Sequence, residues 1–374
     1  MENKFNNRVF GAVLIRADIA NYNADFTGSP RTLPNGVVYA TDKALKYAIR
    51  NYLKHNNGEL VFYTTRYKKD NMQPLDIDET YRELFGEYPK TVKDFSKTDK
   101  NGKTNWQKEK EKNFQDFDVV EETGNFVILN KDDKQIILID SDDRKRKIIL
   151  QNLLKALDIR LFGATFASSE GNLSIHGNAQ ITHGINIYGE NNICTEDITS
   201  PFRNSNANSE ESQQTTIGNQ TFLEEGHYLH NFTINPKNSE ELIKLIDDQG
   251  YLTNEDIEKF KDAINRGVSY YDSASKIGVE NEFSIFVTLK ENEKIQLPLF
   301  TTLIKTEKKE DSFKRDLDLS ELKKMLESVK DSIEKVEIYI DTTKLNCKDE
   351  IFEIPNVCVK SIISGKEINK NENR

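Results

Sequence analysis

Arg160, Asn178, Gln180 and His183 lie within one stretch, DIRLFGATFASSEGNLSIHGNAQITHGINIY, residues 158–188. A guanidinium, two amides and an imidazole suit hydrogen bonding to phosphates, sugars and base edges better than bond cleavage. A buried strand pair would avoid the same groups, because an unpaired polar group in a core costs free energy. Phe162 and Phe166 in this stretch are available as stacking surfaces. No other segment is so dense in glycine, amide and imidazole, which makes it the candidate working surface.

Other chemistries find less support. The chain has no GxGxxG after its first strand, no Walker lysine, no HExxH and no nucleophile elbow. His176 and His183 are seven apart, and if their segments pair antiparallel they need not face one metal. His227 and His230 have opposite parity on a strand, so one strand cannot aim both at one ion. Asp18, Asn21, Asn23 and Asp25 lack the spacing of a calcium loop, and polar residues holding a loop is the simpler account. Glu224, Glu225 and His227 suggest acid–base work, but no nucleophile or oxyanion donor is identifiable beside them. No catalysis, metal or cofactor is expected.

The elements that must position these groups follow from periodicity and capping. Residues 9–15 form an apolar first strand, 16–27 are polar and 28–36 are loop. Thr41 caps a helix over 42–54 that buries Ala44, Leu45, Ala48, Ile49, Tyr52 and Leu53. Lys43, Lys46 and Arg50 share another face of it, either solvated or holding a phosphate backbone. Residues 60–66 read as a strand and 81–85 as a short helix. Residues 89–112 hold eight lysines against four acidic residues, with the single tryptophan, Trp106, inside a segment poor in aliphatics. A hairpin over 126–129 and 135–139 is followed by a helix opened by Ser141. Its stripe is Ile149, Leu150, Leu153, Leu154 and Leu157. Residues 174–180 and 182–188 then run at period two, joined too closely for a crossover helix. Residues 200–222 are a long polar excursion, and alternation resumes over 221–233. Helices over 239–247 and 253–265, a polar loop over 269–278, and strands over 283–289 and 297–303 follow. Next come a helix over 319–329, a strand over 336–340 and one or two short strands in 351–363. The pattern predicts one α+β sheet with helices on one side.

Composition bounds the partners. The 374 residues carry a formal net charge of −10, with 36% hydrophobic and 30% charged residues. There is no secretory segment or bilayer-spanning run, so a cytoplasmic protein without a membrane partner is expected. Three separated cysteines give neither a disulfide framework nor a zinc knuckle. The negative charge argues against a nonspecific nucleic-acid coat, although the local field at a groove governs association. The residues alone leave an RNA-binding surface and a protein-assembly module side by side.

Several pieces taken jointly resemble a known family. They are Asp158-Ile159-Arg160-Leu161-Phe162-Gly163, then Ser174-Ile175-His176-Gly177 with Gln180-Ile181-Thr182-His183-Gly184. Further on come Ser200-Pro201-Phe202-Arg203, Thr216-Ile217-Gly218 and Glu225-Gly226-His227-Tyr228. In order and spacing the chain resembles the crRNA-binding backbone subunit of type I CRISPR Cascade interference complexes, of the RAMP superfamily, closest to its type I-B form. The likeness runs from Arg8 to about Ile363.

The resemblance implies an α+β fold: a modified RRM (ferredoxin-like) core with a large insertion and a protruding thumb hairpin. Its implied layout is a first core part over 1–66, a mobile lysine-bearing insertion over 67–125, and a core hairpin, helix and central strands over 126–200. A thumb over 201–230, a helical segment over 231–280, the last core part over 281–365 and a frayed tail over 366–374 complete it. Copies would polymerise helically along the guide crRNA and present the spacer to target DNA. Other Cascade subunits and a recruited helicase-nuclease would be partners. Implied RNA contacts are Arg16, Lys43, Lys46, Arg50, Arg160, Phe162, Asn178, Gln180, His183, Arg203, Ser273 and Lys276. Phe202, Thr216, Ile217, Phe222, His227 and Tyr228 would belong to the thumb. The family reads backbone shape, so any spacer fits. Asn21-Tyr22-Asn23-Ala24-Asp25 departs from the proline- and glycine-bearing turn of relatives. Related type III backbone subunits cut RNA with an early-loop aspartate, which makes a metal-dependent ribonuclease acting through Asp25 the alternative.

Overall fold

The first strand, Val9–Ala20, is buried at every position from Val9 to Ile15, the signature of a strand covered on both faces. It lies between Gln214–Ile234 and Val279–Leu289, antiparallel to both. In this computed structural model the described residues are 3–203, 214–247, 249–308, 312, 314–347 and 349–369. The chain divides into two compact units: Met1–Phe5, Gly58–Asn178 and Pro236–Asp256 in one, and Asn6–Asn57, Ala179–Asn235 and Ile257–Arg374 in the other.

The larger unit is built on a sheet ordered Val357–Ser361, Ile333–Ile340, Val279–Leu289, Val9–Ala20, Gln214–Ile234, Gly184–Asn186, Tyr39–Ala40. Alternate side chains on the central strands face opposite ways. Phe10, Ala12 and Leu14 join Phe283, Ile285 and Val287 in a core that takes Leu322 and Leu326 from the Ser320–Ser328 helix. On the other face Phe232 meets Phe260 of the Asn254–Tyr270 helix, ring centroids 5.7 Å apart, and Phe286 at 5.1 Å. Tyr52 of the Asp42–His55 helix donates to Asp262 on that same helix at 2.9 Å. Helices thus cover both faces, not one, because the central strands are apolar on both.

The smaller unit has the sheet Lys90–Thr91, Lys134–Ile139, Phe126–Lys131, Asp118–Glu122 and the separate pair Gly163–Ser168 with Gly171–His176. The architecture is therefore α+β with several sheets, not one. Trp106 is buried with Val92 and Phe95 against Val127, Leu129 and Leu138. Asp158, fully buried, accepts from Phe62 N at 2.7 Å and Tyr63 N at 3.1 Å. These bonds, with Leu157 N donating to the Leu60 carbonyl, replace the strand expected over 60–66.

Residues 174–180 and 182–188 do not form two continuous strands paired with each other. Gly171–His176 folds back on Gly163–Ser168, whereas Ala179–Ile181 and Gly184–Asn186 pair with Gln214–Ile234. The break falls at Gly177, whose Cβ would lie 2.1 Å from Phe162 C, just as one on Gly163 would lie 2.2 Å from the Ile175 carbonyl oxygen. The two glycines mark a crossing of backbones too close for a side chain. Residues 297–303 are not a strand either. Phe300–Thr302 is a 3-10 turn held by Phe300 N donating to Asn231 Oδ1 at 2.7 Å.

A buried charge cluster fixes the register of the central sheet. His227, fully buried, places Nδ1 against Glu282 and Nε2 3.2 Å from Glu225 Oε1. Arg315 holds Glu225 from the other side, Nε to Oε1 at 2.8 Å and Nη2 to Oε2 at 2.5 Å, and lies 3.9 Å over the Tyr188 ring. Burial works against charge on His227, but Glu282 and then Glu225 outweigh it and raise the imidazole above its ordinary value. His230 is the opposite case. Burial pushes it down to about 4, and the neutral ring donates from Nδ1 to the Thr182 carbonyl at 2.9 Å and accepts from Tyr22 O–H at 3.2 Å. Among the described residues no helix is long and apolar enough to cross a membrane.

Two outcomes follow from this packing. A Cβ on Gly11 would sit 2.2 Å from Phe232 Cζ and 2.4 Å from the Ile285 carbonyl oxygen. Gly11→Ala will lower stability by about 1–3 kcal/mol or more in chemical denaturation, while Gly124→Ala, with open space around it, leaves the midpoint unchanged. The second concerns pH. The raised pKa of His227 gives stability that is fully present below the ordinary imidazole range and is lost as pH rises through the folded value. The lowered pKa of His230 acts the other way, its contribution being lost as pH falls from the ordinary value toward about 4. His227→Gln will cost more in melting temperature at about pH 6 than at about pH 9. Equal deficits at both would remove the imidazolium from the account.

Candidate nucleic-acid interface

The N-terminus of the Asp42–His55 helix gathers more of the expected residues than any other described part of the chain. Thr41 accepts from Ala44 N as the cap, and gives its own N–H and hydroxyl to Asn23 Oδ1 at 2.9 and 3.0 Å. Asp42 N donates to His183 Nδ1 at 3.2 Å, which leaves the imidazole N–H on Nε2, and the ring stacks on Tyr39. His183 is 53% exposed. Lys276 reaches the same loop and donates to the Asn21 and Tyr22 carbonyls at 2.8 and 2.6 Å, with its pKa pushed down to about 8 by burial. Beside these groups opens a cavity of about 210 Å³ lined by Tyr22, Asn23, Tyr47, Tyr271 and Lys276.

The cations here are partly matched by acid. Lys43 and Lys46 both pair with Asp42, at 3.0 and 3.1 Å. Burial opposes ionisation of Asp42, but the hydrogen bonds from the two lysines hold its carboxyl below the usual range. Lys43 stays 81% exposed, whereas Lys46 is mostly covered and Arg50 half-buried. The Lys43 end of this cluster is exposed, so its pair with Asp42 contributes little, whereas Lys46 and Asp42 are both mostly covered.

Asp25 is engaged in its own turn. Its Oδ1 accepts from Thr27 N at 2.8 Å, Thr27 Oγ1 at 2.7 Å and Ser29 N at 3.1 Å. The Thr27 hydroxyl bond holds its carboxyl below the ordinary range. Among the described residues no group of three or more His, Cys, Asp or Glu is placed to hold a metal ion.

Arg16 faces Asp18 at 2.9 Å and Glu225 at 3.8 Å, at the rim of the buried cluster. Gln180 is exposed in the Ala179–Ile181 strand opposite Thr233, and the Ser273 carbonyl receives the Lys276 and Ile277 amides. Phe222 is half-buried opposite Cys194. His227 and Tyr228 lie inside the core, opposite Arg16 and Ile15, instead of on a projecting hairpin. The pairing of Ile193–Arg203 with Gln214–Ile234 begins at Ile193 opposite Leu223, so the paired excursion starts before residue 201. The side chains of Phe202, Arg203, Thr216 and Ile217, and all of residues 204–213, lie outside the described residues.

Arg160, Phe162 and Asn178 belong to the smaller unit, where each has a structural partner. Arg160 forms a fork with Asp256, Nη2 to Oδ1 at 2.7 Å and Nε to Oδ2 at 3.1 Å. Its Nη1 closes the Leu154 and Lys155 carbonyls at 2.9 Å each. Phe162 is buried in the short helix Leu157–Phe162, and Phe166 is more deeply buried, so neither ring is open to a base. Asn178, also buried, donates to the Arg160 carbonyl at 2.9 Å and accepts from Ser239 Oγ at 3.0 Å. Polar types in a glycine-rich stretch signalled an interface here, whereas the fold spends two of them on its own backbone.

The sequence reading missed Asn23 as the link from the early loop to the helix cap, and Tyr47 and Tyr271, whose rings meet edge to face at 5.2 Å. The two tyrosines are 224 positions apart, and Asn23 is linked to Thr41 across the 28–36 loop. Short-range spacing carries no signal for either.

No curated protein matches the chain in sequence. A solved CRISPR RNA-guided surveillance complex is similar at 11% identity and a TM-score of 0.43, covering 89% of this chain and 88% of that chain. A CRISPR RNA-guided surveillance complex in a pre-nicking form is similar at 12% identity and a TM-score of 0.45, covering 89% and 92%. The family model of CRISPR-associated protein Cas7 matches residues 7–338, most of both units. The chain belongs to the family of CRISPR-associated protein Cas7, crRNA-binding backbone subunits of CRISPR surveillance complexes.

Proposed function

We propose that this chain is a type I backbone subunit, closest to the type I-B form, which holds the guide along its phosphates and does not cut it. Copies line up head to tail as a helical filament on the crRNA, beside other Cascade subunits. The paired excursion that starts at Ile193 serves as the thumb and reaches the neighbouring copy. The spacer is left open to pair with target DNA, and destruction of that DNA belongs to a recruited helicase-nuclease. The match over residues 7–338 supports the backbone role in this reading. The Asp42–His55 helix end supports its location, since an exposed Lys43, an exposed His183 and a helix N-terminus all suit phosphate.

The ribonuclease alternative rests on Asp25, whose Oδ1 already receives three hydrogen bonds within its own turn. Asp25→Asn separates the two readings. A scaffold keeps its guide and has no cleavage to lose, whereas a nuclease would keep RNA and lose cutting.

The direct test is co-expression with a repeat-spacer transcript and processing subunits, followed by analysis of the co-purifying RNA. A discrete guide-length RNA in a high-mass assembly is expected. Lys43→Glu should leave the melting temperature unchanged, weaken guide retention and lower the salt dependence of binding by about one phosphate contact. Protein free of RNA would return the chain to a protein-assembly role. Arg160→Ala serves as the contrast. It leaves Asp256 buried without its fork, should destabilise the fold by about 3–5 kcal/mol, and is read as loss of soluble protein.

A further inference from the structure

Phe26 has a relative exposure of 104%, the highest among the large apolar side chains exposed in the described residues. A lone exposed apolar side chain is ordinary. The backbone beneath this one is not loose, however. The Asp25 carboxylate closes the turn through Thr27 and Ser29, Asp25 N donates to the Ser29 carbonyl at 2.8 Å, and Gly28 N to the Asp25 carbonyl at 3.2 Å. Asn21 Nδ2 donates to the Gly28 carbonyl at 2.9 Å from inside the unit, and Ala24 bridges Pro30. Asn23 then ties the base of the loop to Thr41, the cap of the helix that carries Lys43 and receives His183. A flat ring is therefore held out by a wired turn on the same connected loop and helix end as the exposed cation and imidazole.

What surrounds the ring decides its partner. The flanking residues are Asp25, Thr27, Gly28 and Ser29, all polar or bare. A protein-docking hot spot sits at the centre of a packed apolar patch, which these neighbours do not supply. Base stacking needs one aromatic face with polar and cationic groups for the backbone beside it. We infer that Phe26 stacks on a nucleobase of the guide strand, and that the hydrogen bonds of Asp25 serve to present that ring. The inference rests on the proposed guide-binding role. It gives the stacking function to Phe26 in place of the buried Phe162 and Phe166.

Trp106 is the single tryptophan and is buried, so a tryptophan placed at position 26 reports on its own site. Phe26→Trp, purified with its guide and compared with wild type before and after the RNA is digested, should show strong quenching of the added emission while RNA is bound. Phe26→Ala and Phe26→Leu should each weaken guide binding by about tenfold with unchanged melting temperature, and Phe26→Tyr should restore it. If guide binds as tightly as in wild type but the added emission does not change, or Phe26→Leu behaves like wild type, the stacking inference is wrong and the guide-binding role stands. Loss of the high-mass assembly by Phe26→Ala with unaltered RNA affinity would make Phe26 a contact between copies and overturn the inference. If wild type takes no RNA, the guide-binding role itself falls.

Discussion

Charge held inside the central sheet is the constraint on which much of the larger unit depends. Glu282 and His227 have no measurable exposure, and Arg315 is almost as covered. An isolated ion in that setting would cost several kcal/mol, so each must face an opposite charge, and the cluster still leaves Glu282 Oε2 and Arg315 Nη1 buried without a hydrogen-bond partner among the described residues. The partners come from separate strands: Glu225 and His227 from Gln214–Ile234, Glu282 from Val279–Leu289, Arg315 from Arg315–Asp318. A slip of one residue along any of them would turn a charge toward the apolar face, because side chains alternate. The cluster thus selects one register among several that the apolar residues alone would tolerate.

That register has a consequence further along the same strand. Gln214–Ile234 spends its second half inside the core, beside Val9–Ala20, and its first half paired with Ile193–Arg203. The change occurs near Leu223, where Asn21 donates to the Thr221 carbonyl at 3.1 Å and Asn192 to Glu224 Oε2 at 3.0 Å. The pairing with Ile193–Arg203 is in this way continuous with the strand that carries Glu225 and His227. The early loop is tied to the same place by Asn21 and to the helix cap by Asn23. Side-chain hydrogen bonds hold the loop, with Asn21 donating to backbone carbonyls and Asn23 and Asp25 accepting from amides and hydroxyls.

An acidic chain that serves RNA has to arrange its cations with care. Here Lys43 and Lys46 share Asp42, and Lys276 donates to backbone carbonyls. Only Lys43 is held by an exposed pair of the kind that is worth little in water, whereas Lys46 and Asp42 are mostly covered. Arg160 is different in kind. Its fork with buried Asp256 and its closure of two carbonyls make it part of the fold of its own unit.

Local sequence by itself determined the helix over Asp42–His55 with its Thr41 cap, the Phe126–Lys131 and Lys134–Ile139 hairpin, and the helix opened by Ser141, since caps, turns and periodicity act within a few residues. The joint motifs determined the family. Tertiary structure decided which partner each strand of residues 163–186 takes, because pairing is settled by contacts far off in the chain and by the two glycines whose backbones cross. It also decided that Phe162 and Phe166 are core while Phe26 is open to water, although all three are the same residue type. A phenyl ring is apolar wherever it sits, and only the packing around it, set by residues distant in sequence, determines whether it fills a core or waits for a partner.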